Sequence, residues 1–192
     1  MTSPSDRLPL PPEEELTPAQ REAVAEISAG PRGDLIGPFV PLLRSPELMT
    51  RLQKTGEYLR FEKALPPRLF EMCILLVARR WNQQFEWSFH YPIALEAGLE
   101  RSILEAIALD RRPNGMEPAT AAAWDLLDEL HRTTAVSDEV YARALDALGD
   151  RGIVELVAAA GYYTTLAMVM NTARTPAPTE PALPVLTASE TA

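Results

Sequence analysis

Cysteine is almost absent from this chain. One thiol, Cys73, among 192 residues excludes an intramolecular disulfide, a cysteine-rich zinc site and a two-thiol redox centre within one chain. Histidine is nearly as scarce: besides His90 there is only His131, in D-E-L-H-R, which reads as a surface residue of a helix. Basic charge is in deficit. With a formal net charge of -9 and acids spread along the chain, the protein repels phosphate backbones and anionic headgroups, so neither nucleic acid nor membrane is an expected partner. No run of about 18 uninterrupted apolar residues occurs. The opening M-T-S-P-S-D-R-L-P-L-P-P has no basic start followed by an apolar stretch, and a cytoplasmic location is therefore expected. Alternating apolar and polar residues are missing as well, which removes the pattern of a half-buried strand.

What is present is helical. Hydrophobic residues make up 46% of the chain, enough for one sizeable core, and the pattern predicts an all-α domain over 17–174. It is flanked by proline-rich segments, 1–16 and 175–192, expected to be disordered. Thr17-Pro18 supplies a cap and a proline for a first helix that stops near Gly30-Pro31. Gly33 to Leu43 is apolar but punctuated by glycine and proline, and reads as a buried extended connection with Phe39 a candidate for a pocket mouth. Ser45-Pro46-Glu47 opens the next helix, with Leu48, Leu52, Tyr58 and Leu59 as its apolar stripe. A helix over Arg68 to Arg80 is apolar nearly all round and belongs at the centre. Helices are also predicted over 85–97, 101–109, 118–132, 137–148 and 152–172, the last carrying Glu155 in an apolar run much as Glu71 lies in the central helix.

The chemistry is concentrated between Glu71 and His90, E-M-C-I-L-L-V-A-R-R-W-N-Q-Q-F-E-W-S-F-H. Glu86 and His90 are four residues apart and project from one helix face. A carboxylate beside an imidazole favours the protonated ring, while burial opposes it. Glu71, from the preceding helix, supplies a second carboxylate, and the three together form either a general acid–base set or a buried ion pair between helices. Arg79 or Arg80 could bind a substrate carboxylate, and Trp81 and Trp87 are either core or pocket wall.

These residues resemble the carboxymuconolactone decarboxylase family, which includes the alkylhydroperoxidase D (AhpD) branch. That branch has a glutamate, a C-x-x-C motif and a histidine four residues beyond the second cysteine. The spacing from Glu71 to His90 is similar, but Gln83 and Glu86 stand at the cysteine positions. The lactone decarboxylase branch places a glutamate four residues before the histidine, as in E-W-S-F-H here. G-P-F-V-P-L-L-R-S-P-E-L upstream and G-Y-Y-T-T-L-A-M downstream also resemble E-W-x-x-H members, and the likeness spans roughly residues 35 to 172.

The resemblance implies an alkylhydroperoxidase D-like helical fold assembled as a trimer or hexamer. It also implies an enzyme without cofactor or bound metal, a lyase or isomerase acting on a small unsaturated carboxylic acid or lactone. His90 would shuttle the proton, Glu86 orient it and Glu71 serve as second acid or base, with Arg79, Trp81, Trp87 and Phe39 contacting substrate. Three other readings stay open: a hydroperoxide reductase, which Cys73 in its apolar setting argues against; a divalent metal site on Glu71, Glu86 and His90; and a non-catalytic oligomeric binding protein.

Overall fold

The computed structural model describes residues 6–178 and 180–186. The outermost parts of the two expected tails, 1–5 and 187–192, lie outside the described residues, as does position 179. Among the described residues there is no strand, and eight α-helices carry the fold. Helices α1 (Pro18–Ala29), α2 (Phe39–Leu42) and α3 (Pro46–Glu57) precede α4 (Pro67–Arg80) and α5 (Gln84–Glu96). Then follow α6 (Arg101–Ala108), α7 (Pro118–Thr133) and α8 (Asp138–Ala173).

The chain forms two compact units. Residues up to 63 with 165–177 make one; residues 64–164 with the described residues from 178 onward make the other. The span expected as one domain is thus divided between them.

In the first unit Thr17 closes a capping box with Gln20 and starts α1 as its sequence predicts. The expected extended connection is corrected at its end. Phe39–Leu42 winds into a short helix, because Pro41 falls within the first turn, where no intrahelical N–H is needed. The stripe of α3 is also corrected by one position. Met49 and Gln53 are buried and Leu48 is 48% exposed, and Ser45 makes no side-chain cap. A π-turn, Tyr58–Glu62, follows α3 directly and leaves Tyr58 exposed while Leu59 is buried.

In the second unit α4 is the central element, packed on α5, α6 and α7. Every residue from Leu69 to Arg79 is buried, as the absence of a polar face requires. Each fully buried Leu, Ile or Phe contributes roughly 1.5–3 kcal/mol, so this helix is the main source of the unit's stability. It ends where Asn82 adopts a left-handed conformation with φ 48°, a backbone state asparagine tolerates better than most residues. Gln83 then caps α5, its Oε1 accepting from the N–H groups of Phe85 (2.5 Å) and Glu86 (3.3 Å).

Helix α8 is broken at Gly149, whose φ of 68° and ψ of 170° are non-helical, which accounts for the two helices read from the sequence. It is the one described helix long and apolar enough to cross a membrane, but 56% of its most apolar window is buried inside the protein, as in the core helix of a soluble protein. Glu155 on α8 accepts from the Ala64 N–H (2.7 Å) and Arg151 Nε (2.8 Å). It therefore ties chain segments together within the unit, where Glu71 meets a histidine.

Part of the expected C-terminal tail is held in place. Leu183 is 2% exposed, and the extended segment 180–186 hydrogen-bonds to side chains of α4 and α5. The physical reason is Leu183, the one side chain of this segment that is buried. Burying one leucine contributes roughly 1.5–3 kcal/mol, and Pro181 and Pro184 beside it lower the entropy lost on ordering.

Candidate active site

Glu71 lies in the second turn of α4, and Glu86 and His90 lie one turn apart on α5. The packing of these two helices brings all three together. His90 Nδ1 is 2.7 Å from Glu71 Oε2, and His90 Nε2 is 3.3 Å from Glu86 Oε2. The imidazole is therefore gripped at both nitrogens by carboxylates. All three side chains are buried. Glu86 Oε1, also buried, has no hydrogen-bond partner. Burial pushes the His90 pKa down, but the hydrogen bonds and charges of Glu71 and then Glu86 outweigh it, and the ring titrates above its usual value.

Aromatic rings complete the surroundings of His90. Tyr163 meets it edge-on at 5.5 Å and Phe89 at 5.2 Å, and Phe70 in turn packs on Tyr163 at 5.8 Å. The Tyr162-Tyr163 pair in an otherwise aliphatic run was the sequence signal for this wall. In the sequence Gln83 reads only as a replacement for cysteine; in the structure it fixes the N-terminus of α5, and with it the backbone of Glu86.

The remaining sequence candidates do not join this trio. Arg79 is eight residues beyond Glu71 on α4, about 12 Å along the helix. Its Nη1 donates to the carbonyls of Ala108 (3.0 Å) and Pro184 (2.7 Å), and its Nη2 to Asn82 Oδ1. Burial lowers its pKa, partly offset by Asp110. Trp87 is buried against Tyr91, ring centroids 5.6 Å apart, and is a core residue. Trp81 is half-buried at the C-terminal end of α4. Phe39 belongs to the other compact unit, where the Arg32 guanidinium lies 4.6 Å over its ring.

Cys73 is fully buried, with Sγ 3.7 Å from the Leu156 carbonyl. Burial and then the charge of Glu71 push its thiol far up, so the thiolate that peroxide chemistry needs is suppressed. His131, expected on the surface, is half-buried. Burial and then Arg80 hold its pKa below the usual value, against a smaller opposing effect of Asp128. Among the described residues no group of three His, Cys, Asp or Glu side chains is arranged to hold a metal ion.

An all-helical domain with a buried carboxylate–imidazole–carboxylate trio is the class of protein this fold and site define. Residues 46–129 match the model of the Carboxymuconolactone decarboxylase family, so this segment, which carries Glu71, Glu86 and His90, is similar to that family. Two crystal structures share the fold. One is an uncharacterized peroxidase-related protein from Ralstonia eutropha described as an alkylhydroperoxidase AhpD core. It is 15% identical with a TM-score of 0.74, over 92% of this chain and 94% of that one. The other, from Agrobacterium tumefaciens, is a protein of unknown function suggested to be the antioxidant defence protein AhpD. It is 18% identical with a TM-score of 0.64, over 72% of this chain and 96% of that one. No curated protein matches the chain significantly.

Proposed function

We propose that this protein is a cofactor-free acid–base enzyme, a lyase or isomerase acting on a small unsaturated lactone or carboxylic acid, with proton transfer by Glu71, Glu86 and His90. The observation that carries the proposal is the imidazole held at both nitrogens while Glu86 Oε1 is buried and unpartnered. The two distances favour exchanging the roles expected for the carboxylates. Glu71, at 2.7 Å from Nδ1, is the orienting partner; Glu86, with the longer contact and the free oxygen, is the group that exchanges a proton with substrate. With the ring protonated the trio carries a net charge of one negative, and Arg79 is engaged elsewhere. An uncharged lactone carbonyl therefore suits the site better than a free carboxylate.

For an isomerisation, Glu86 removes a proton from carbon beside the carbonyl and the electron pair delocalises onto oxygen. The protonated Glu86 then returns the proton at the vinylogous carbon, which restores its carboxylate, while His90 stays protonated between the two carboxylates. For a decarboxylation, the bond to the carboxyl carbon breaks, carbon dioxide leaves and the resulting dienolate takes its proton from His90, which solvent restores. Proton transfer of this kind contributes roughly two to four orders of magnitude in rate. A homo-oligomer in the cytoplasm, trimer or hexamer, is part of the same proposal and rests on the family likeness.

The rival reading is hydroperoxide reduction, favoured by the description of the Ralstonia eutropha neighbour as peroxidase-related. It requires a reactive thiolate, and Cys73 is a buried thiol. Proton NMR in deuterated buffer with a panel of unsaturated lactones and oxo acids separates the two. Exchange or turnover lost in His90→Ala and Glu86→Gln but kept in Cys73→Ser supports acid–base chemistry. Absence of exchange with Cys73-dependent hydroperoxide consumption establishes the rival.

A further inference from the structure

The extended segment 180–186, E-P-A-L-P-V-L, is bound in the manner of a peptide ligand. Gln84 makes a two-point contact with its backbone: Nε2 donates to the Leu183 carbonyl (2.9 Å) and Oε1 accepts from the Leu183 N–H (3.0 Å). This is the pair of bonds that a neighbouring strand would offer. Ser88 Oγ, one turn further along α5, donates to the Pro181 carbonyl (2.9 Å) and the Pro178 carbonyl (3.3 Å). Arg79 Nη1 donates to the Pro184 carbonyl at 2.7 Å. Every one of these contacts reads main chain, and a single side chain, Leu183, is buried as anchor. Pro184, Val185 and Leu186 then lie along a cleft of about 500 Å³ that Arg79, Arg80 and Arg132 also line.

We infer that the outer face of α5 and the end of α4 form a peptide-binding groove whose occupant is this chain's own segment 180–186, held as a displaceable strap. One buried side chain and a handful of hydrogen bonds oppose the ordering of seven residues. Glu180, Ala182, Pro184 and Val185 remain exposed. The bound and released states are therefore close in free energy, and a second peptide of the same pattern competes for the groove. The strap also bears on the site. Gln84 and Ser88 alternate along α5 with Glu86 and His90, so occupancy of the groove holds in register the helix that presents both to Glu71. The inference does not depend on the acid–base reading, since binding is measured without substrate.

The test uses the full chain and a fluorescein-labelled peptide E-P-A-L-P-V-L in a polarisation titration. A tethered strap competes at high effective concentration. The intact protein should therefore bind the peptide at least about tenfold more weakly than Leu183→Asp, whose own strap has lost its anchor. Leu183→Ala should behave in the same direction, and guards against an aspartate that disturbs folding. Adding Gln84→Ala to either variant should abolish binding, and a scrambled peptide should not bind. In parallel, the His90 ring resonances should shift in Leu183→Asp and return when unlabelled peptide saturates the groove. Equal binding by intact and Leu183 variants, no binding by either variant, or binding indifferent to Gln84 would overturn the groove. Unmoved His90 resonances would overturn its coupling to the site.

Discussion

Glu71 Oε2 stands 2.7 Å from His90 Nδ1 across the α4–α5 packing, a shorter contact than the 3.3 Å between His90 Nε2 and Glu86 on the same helix. The tertiary contact is thus the tighter of the two, and the i, i+4 pair legible in the sequence is the looser. On the proposed acid–base reading, that asymmetry makes Glu71 the anchoring carboxylate and Glu86 the exchanging one.

The first prediction concerns the two imidazoles. With only His90 and His131 in the chain, a proton NMR titration resolves both, and they should fall on opposite sides of the usual histidine value, His90 above and His131 below. Glu71→Gln should lower the His90 pKa more than Glu86→Gln does. Equal effects would contradict the anchoring role of Glu71.

The raised His90 pKa has a consequence for stability. Its folded-state value lies above the unfolded one, so the stabilisation is fully present below about pH 6.5 and is lost as pH rises through the folded pKa. Thermal midpoints of the wild type and His90→Asn should therefore converge toward alkaline pH. Glu71→Ala, which strands a buried imidazolium with less compensation, should cost roughly 3–5 kcal/mol at neutral pH.

Cys73 should be chemically silent in the native protein. A thiol reagent such as Ellman's should leave it unmodified until denaturant is added, and then titrate one thiol per chain. Rapid native-state labelling would mean that the thiol is reachable and would reopen peroxide chemistry.

The aromatic and cationic candidates separate by what their loss damages. Trp87→Ala removes a buried core ring and should cost roughly 3–5 kcal/mol in denaturant unfolding; Trp81→Ala, half-buried, should cost clearly less. Arg79→Met leaves the carbonyls of Ala108 and Pro184 without their donor and should cost roughly 2–4 kcal/mol. His90 should keep its pKa in all three variants. A shift in Arg79→Met larger than in Leu183→Asp, which also loosens segment 180–186, would place that guanidinium in the electrostatics of the site after all.

Local order was written in the chain. The Thr17-Pro18 start, the glycine at 149 that interrupts α8, the all-apolar α4 and the spacing of Glu86 and His90 each depend on residues within a turn or two of one another. Periodicity and capping report such relations directly. The family likeness in the Glu71 to His90 stretch belongs to the same category, because it is a pattern of spacing. Tertiary packing decided the rest. Whether α3 turns Leu48 or Met49 inward is a rotation of about 100°, settled only by its partners. Which nitrogen of His90 meets which carboxylate depends on how α5 lies on α4. Arg79 was free to bind substrate by composition, yet carbonyls from α6 and from segment 180–186 take up its donors. A proline-rich tail reads as unable to bury apolar surface on its own, and Leu183 is buried because α4 and α5 provide a surface for it. Contacts between residues distant in sequence cost chain entropy that only the assembled core offsets, and no local pattern encodes that balance.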